Sequence, residues 1–137
     1  MKAGIISIVC LFVVVLISCQ SQEELEFKRY YTTGKVVYQS KCQNCHGDNG
    51  EGLSALMPPL TDSVYLQANK HELPCIIKHG LNKPILINGK AFYSQMPAID
   101  LPPVEMAEVI TYITNSFGNK MGVTTTQMAE DDLKGCK

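Results

Sequence analysis

The sequence predicts an all-α domain of about four short helices. Three observations carry that expectation. Met106, Ile110, Ile113 and Phe117 recur at steps of four, three and four residues, which makes one apolar helix face. Glycine and proline punctuate the rest into short segments, as in Gly47-Asp48-Asn49-Gly50-Glu51-Gly52 and Met57-Pro58-Pro59-Leu60. Little in the chain reads as strand.

Taken in order, Thr32-Thr33 reads as the N-cap of a helix that runs from Gly34 through Lys41 into Cys42. The glycines from Gly47 to Gly52 make turn material, and Pro58-Pro59 hold the chain extended, because proline restricts itself and its predecessor. Thr61 or Asp62 can cap a short helix ending at Gln67. A further helix is expected over Lys70–His79, closed by Gly80, with Pro74 tolerable only in its first turn. Asn88-Gly89 signals a turn. Pro102-Pro103 opens the last helix and Gly118 ends it. Residues from Thr124 onward are polar and are expected to form a loose tail.

The 137 residues make one domain's worth of chain, and 45% apolar with 18% charged residues is a globular mixture. Removing residues 1–18 costs one lysine and leaves 11 basic and 13 acidic groups, which excludes a strongly basic nucleic-acid binder. No apolar run reaches the roughly 18 residues of a bilayer span. Met1-Lys2 followed by the 15 apolar residues from Ala3 to Ile17 instead fits a secretory signal. Leu16-Ile17-Ser18-Cys19 resembles the lipobox of bacterial lipoproteins, implying cleavage before Cys19 and lipid on its thiol. An uncleaved anchor, or a secreted chain in which Cys19 is incidental, is the alternative. The expected organisation is a signal peptide over 1–18, an acylated tether over 19–31, a domain over 32–118 and a polar tail over 119–137.

With Cys10 in the signal and Cys19 assigned to lipid, the domain keeps Cys42, Cys45, Cys75 and Cys136. Cys42-Gln43-Asn44-Cys45-His46 is the attachment pattern for covalent haem c. One helical turn projects positions i, i+3 and i+4 from neighbouring faces. Two thiols can therefore fix the porphyrin edge through thioethers while the imidazole serves as proximal iron ligand. The other ring nitrogen then needs a hydrogen-bond acceptor. A zinc site would want a second ligand pair, and a dithiol redox motif would want a βαβ setting.

For the opposite axial position the candidates are Met57, Met96, Met106, Met121, Met128, His71 and His79. Met57 follows His46 too closely, Met106 belongs to the apolar helix face, and Met121 and Met128 fall in or near the tail. His71 and His79 sit beside charged residues and read as surface positions. Met96, stiffened by Pro97 and carried on a non-periodic segment, is the best candidate, against the plain alternative of a core-filling methionine.

These residues together resemble the small single-haem class I c-type cytochromes, over about Thr33 to Gly118. Cys42-x-x-Cys45-His46 carries the resemblance, with Gly34-x-x-x-Tyr38, Pro58-Pro59-Leu60, Met96-Pro97 and Tyr112 in support. It implies a fold of short helices wrapped around one haem, with first and last helices crossing at Gly34, Tyr38, Val109 and Tyr112. It further implies that a proline carbonyl, Pro58 or else Pro59, accepts the proximal imidazole N–H, and that Leu60 packs on the haem. Cys75 and Cys136 match nothing in that family, and whether they pair is left open.

The function implied is single-electron transfer by His46/Met96-ligated haem rather than catalysis. The expected partners are redox proteins, membrane oxidoreductases above all, met by transient docking with Lys35, Lys41, Lys78, Lys83 and Lys90 available for steering. The protein is expected outside the cytoplasm, lipid-anchored to a bacterial membrane and facing the periplasm, as a monomer with no nucleic-acid partner. A haem enzyme or gas sensor with a displaceable distal ligand, an electron-entry subunit of a larger oxidoreductase, and a haem-free lipoprotein are the competing readings.

Overall fold

In the computed structural model, which describes residues 22–136, helix α1 runs over Gln22–Lys41. The signal segment, Cys10 and the expected lipid site Cys19 lie outside the described residues. Helix α1 starts a full ten residues before the expected threonine cap. The Thr33 hydroxyl donates back to the Arg29 carbonyl at 2.7 Å, so it is satisfied inside the helix instead of capping one. Glu23 and Glu24 favour the helix start electrostatically, and buried Tyr30 anchors this first half. Residues expected to form part of a tether are therefore helical from Gln22.

Helix α2, Gln43–His46, is a single turn continuing from α1 after Cys42. Asp62 caps α3, Ser63–Ala68, its carboxylate accepting from the Tyr65 N–H at 2.8 Å. The Lys70–His79 segment divides into a 3-10 turn, Lys70–Glu72, and helix α4, Leu73–His79, with Pro74 in the first turn. Gly80 ends α4 at φ 74°. Next comes a hairpin that the strand-poor sequence does not announce beyond its turn. Strands β1, Ile85–Ile87, and β2, Lys90–Phe92, pair antiparallel around Asn88-Gly89, both with positive φ as a two-residue turn of this kind requires. Three residues per strand are too few to display alternation.

Helix α5, Pro103–Ile113, crosses α1 at Gly34, where any Cβ would overlap the Glu108 carbonyl. The Tyr112 ring packs at a tilt, with its centroid 5.2 Å from that of Tyr38 and 5.1 Å from that of Tyr31, so aromatic rings fill the crossing. Helix α5 stops a turn earlier than its apolar spacing suggests. Asn115 turns its amide NH2 onto the Thr111 and Gly122 carbonyls, and its side-chain oxygen accepts from the Met121 and Gly122 N–H groups. That network draws the backbone into a turn. Phe117, at φ 58°, still reaches Tyr38 and Tyr112.

The C-terminal residues are not a loose tail. Thr125 caps helix α6, Thr126–Lys134, through the Met128 N–H, and Ala129 is fully buried. Thr124 and Thr111 exchange two hydrogen bonds, and Tyr30 bonds Thr126 at 2.8 Å. Cys136 forms a disulfide with Cys75 of α4. Apart from the local cap, these contacts reach residues 13 or more positions away and order a segment whose own composition is polar. Among the described residues no helix is long and apolar enough to cross a membrane.

Candidate functional site

An apolar cleft takes part of its lining from both crossing helices, Lys41 of α1 and Val109 and Ile113 of α5. Residues of α2 and the Met57–Leu60 segment line it as well, with Tyr65 and Leu66 of α3. Leu73, Ile76 and Ile77 of α4 and Ile85, Ile87 and Phe92 of the hairpin add aliphatic and aromatic surface. Cys42, Cys45, His46, Pro58, Leu60 and Met96 all line this one cleft.

Each is positioned by an identifiable local cause. The Cys45 and His46 N–H groups both donate to the Cys42 carbonyl, at 3.1 and 3.0 Å, which winds the three residues into one turn. Tyr38 donates its hydroxyl to the Gly47 carbonyl at 2.6 Å and so ties the end of that turn to α1. His46 Nδ1 donates to the Pro58 carbonyl at 3.0 Å, which leaves Nε2 as the nitrogen with a free lone pair. Leu60 is held from behind, because buried Asn119 donates to its carbonyl at 2.8 Å. Cys42 and Cys45 are free thiols, the first half-buried and the second exposed.

Met96 arrives from a different part of the chain. Its N–H donates to the Leu81 carbonyl and its carbonyl accepts from the Leu81 N–H, both at 2.9 Å, just past the end of α4. Of the other candidate axial ligands, Met57 also lines the cleft, beside Pro58. Met106 is buried in the core, Met121 packs against that core from outside the cleft, and Met128 lies on α6. His71 is exposed and bonded to Asp132. Of the lysines, Lys41 lines the cleft, Lys35 lies on a separate polar hollow with Tyr31 and Gln39, and Lys78 pairs with Asp100 at 3.6 Å. The hairpin lining and Asn119 are site residues that sequence reasoning missed. The Asn-Gly turn flanked by Ile85, Ile87 and Phe92 was the available signal for the first, and nothing local signals the second.

Burial raises the Cys42 thiol to about 11, and nearby Cys45 adds to the rise. In the polypeptide alone Cys42 is thus a neutral thiol at pH 7. Burial lowers the His46 imidazole below its ordinary value, offset in part by the bond to Pro58. A depressed imidazole means that the unfolded chain takes up the proton first as pH falls. Stability of the haem-free polypeptide should therefore be complete above about pH 6.5 and decline as acid titrates past that value toward the folded one. Denaturant titrations across pH 4.5 to 7.5 check this, and His46→Gln should flatten that part of the profile.

The donor set suits covalent haem. Two thiols and an imidazole nitrogen lie on one turn, a thioether comes from another segment, and aliphatic walls suit a flat apolar macrocycle. Among the described residues no group of three or more His, Cys, Asp or Glu side chains could hold a metal ion between them.

Comparison with known proteins points the same way. The family described as cytochrome c oxidase, cbb3-type, subunit III matches residues 30–113, more than half the chain. The cytochrome c subunit of the quinone-dependent alcohol dehydrogenase of Gluconacetobacter polyoxogenes is 31% identical over 96 residues, covering 68% of this chain and 20% of that protein. Cytochrome c-552 of Thermus thermophilus is 26% identical over 91 residues, covering 63% of this chain and 69% of that one. The chain thus spans about a fifth of the alcohol dehydrogenase subunits it matches.

Proposed function

The chain belongs to the cytochrome c family of cbb3-type oxidase subunit III, and from that premise we propose how it holds its haem and where it works. Proteins of this family carry electrons and are not themselves catalysts. Bound haem supplies one-electron ferric–ferrous chemistry. In our reading Cys42 and Cys45 anchor it as thioethers, His46 ligates iron through Nε2, and Met96 supplies the opposite thioether. Pro58 fixes the imidazole tautomer, and Leu60 packs against the macrocycle. A neutral thioether favours ferrous iron and raises the potential. The observation that carries this reading is the His46–Pro58 bond beside two free thiols, in a cleft that Met96 also enters.

The test begins with protein matured alongside haem-attachment machinery. It should retain haem stain after denaturing electrophoresis, and Cys42→Ala with Cys45→Ala should abolish the stain. The oxidised protein should show the weak charge-transfer band of a thioether–iron bond. Met96→Ala should lose that band and bind carbon monoxide rapidly when reduced. Colourless protein would sink the haem assignment, and rapid carbon monoxide binding by the unaltered protein would favour a sensor or enzyme.

The place of work we assign is the periplasmic face of a bacterial membrane, with lipid on Cys19. The Cys75–Cys136 disulfide supports an oxidising compartment. Tethering raises the effective concentration near membrane oxidoreductases, the partner class we assign to this monomeric carrier. Because its relatives include a dehydrogenase subunit, service as the electron-entry subunit of a larger complex is the second reading. Cys19→Ala should move the protein from the membrane to the soluble fraction; membrane retention would refute lipidation.

A further inference from the structure

Residues 119–136 lie beyond the segment that matches the family, yet they form a strap joining three parts of the fold. One side of the strap is fixed to the rigid crossing, through Thr124 on Thr111 of α5 and Thr126 on Tyr30 of α1. The other side grips α4 and the turn before it at three points. Lys70 donates to the Met121 carbonyl at 3.2 Å, His71 bonds Asp132 at 3.0 Å, and Cys75 is joined covalently to Cys136.

Helix α4 has only seven residues, too few to hold itself in place without tertiary contacts. Its Ile76 and Ile77 face the cleft, and its C-terminal end holds the Met96 segment. Ile77 accepts from the Ile99 N–H at 2.8 Å, Gly80 leaves no room for a Cβ against the Met96 carbonyl, and Leu81 bonds Met96 twice. A continuous mechanical path therefore runs from Cys136 through Cys75, α4 and Leu81 to Met96.

We infer that the Cys75–Cys136 disulfide is a positioning element for the Met96 arm, and that its reduction by a dithiol lets that arm swing away and opens the far side of the haem to small ligands. This rests on the reading of Met96 as the distal ligand. Both cysteines are half-buried, so a dithiol has access to the bond. The reductant's first thiolate attacks one sulfur, and its second thiol resolves the mixed disulfide. Two electrons and two protons pass to Cys75 and Cys136, which become thiols, and the reductant leaves as its own disulfide.

The experiment compares the haem-loaded full chain with its disulfide intact, after dithiothreitol and alkylation, and as Cys75→Ser with Cys136→Ser. Amide exchange is read at Leu81 and Met96, with Tyr38 and Val109 reporting the α1–α5 crossing. Carbon monoxide binding is measured on the ferrous forms. Without the disulfide, any loss of global stability appears at Tyr38 and Val109, and the rise in exchange at Leu81 and Met96 should exceed the rise there by about tenfold or more, while carbon monoxide should bind at least about tenfold faster. Equal exchange at Leu81 and Met96 in all forms overturns the inference. A uniform rise at all four amides also overturns it, because the bond would then be only a global stabiliser. Selective exchange at Leu81 and Met96, with intact protein binding carbon monoxide as fast as Met96→Ala, upholds the strap's hold on the arm and refutes Met96 as ligand.

Discussion

Gly34→Ala is expected to destabilise the domain by about 3 kcal/mol or more, at the top of the usual range for an overpacked core. Helix propensity alone argues the other way, since alanine in mid-helix is favoured over glycine by up to about 1 kcal/mol. The α1–α5 crossing decides the sign. A Cβ at residue 34 would overlap the Glu108 carbonyl, and its third neighbour, Tyr112 Cβ, would lie only 3.0 Å away. Both belong to a helix backbone or its first side-chain atom, so no rotamer change relieves the contact. Separating the helices would pull Tyr112 away from Tyr31 and Tyr38, and would open the core at Val109 and Ile110, which are fully buried. Chemical denaturation of wild type and variant measures the effect. A variant as stable as wild type would show that the helices do not cross this closely.

Removing the disulfide, by Cys75→Ser with Cys136→Ser, is expected to cost between about 2 and about 4 kcal/mol of global stability, the upper figure being that of chain entropy alone. The bond spans a sequence separation of 61 residues, and closing so long a loop removes much of the unfolded chain's freedom. Relaxation in the folded state and residual structure in the unfolded one pull the figure toward the lower end of the usual range, about 2 kcal/mol. Denaturation midpoints for the variant and for reduced, alkylated wild type should agree. A loss under about 0.5 kcal/mol in both would mean that the strap's non-covalent contacts keep the two ends together without the bond.

Some features of this fold lie within reach of sequence reasoning because their causes are local. Asp62 caps α3 by reaching three residues along the chain, and Pro74 falls in the first turn of α4 because only there is its missing N–H harmless. Other features go wrong for an equally physical reason. Thr33 resembles a cap, but a hydroxyl bonded to a carbonyl four residues back is just as well satisfied. Phe117 keeps the apolar spacing of α5 while the helix has already ended, since the side chain can reach Tyr112 from a turn as well as from a helix. Of the hairpin only the Asn88-Gly89 turn is legible, because three-residue strands are too short to carry a periodic signal.

The sequence by itself determined the turn that carries Cys42, Cys45 and His46, because spacing of three and four residues makes neighbours of side chains on any helical turn. It also determined the helical class, through the apolar stripe of α5, while the crossing at Gly34 and Tyr38 was implied only by the resemblance to class I c-type cytochromes. Only the tertiary structure decided that Cys75 meets Cys136, that a polar C-terminal segment folds as a strap, that Asn119 supports Leu60, and that Met96 is held by Leu81. Each of those depends on a distance between residues far apart along the chain, or on a carbonyl supplied from elsewhere, and such distances exist only once the core has packed.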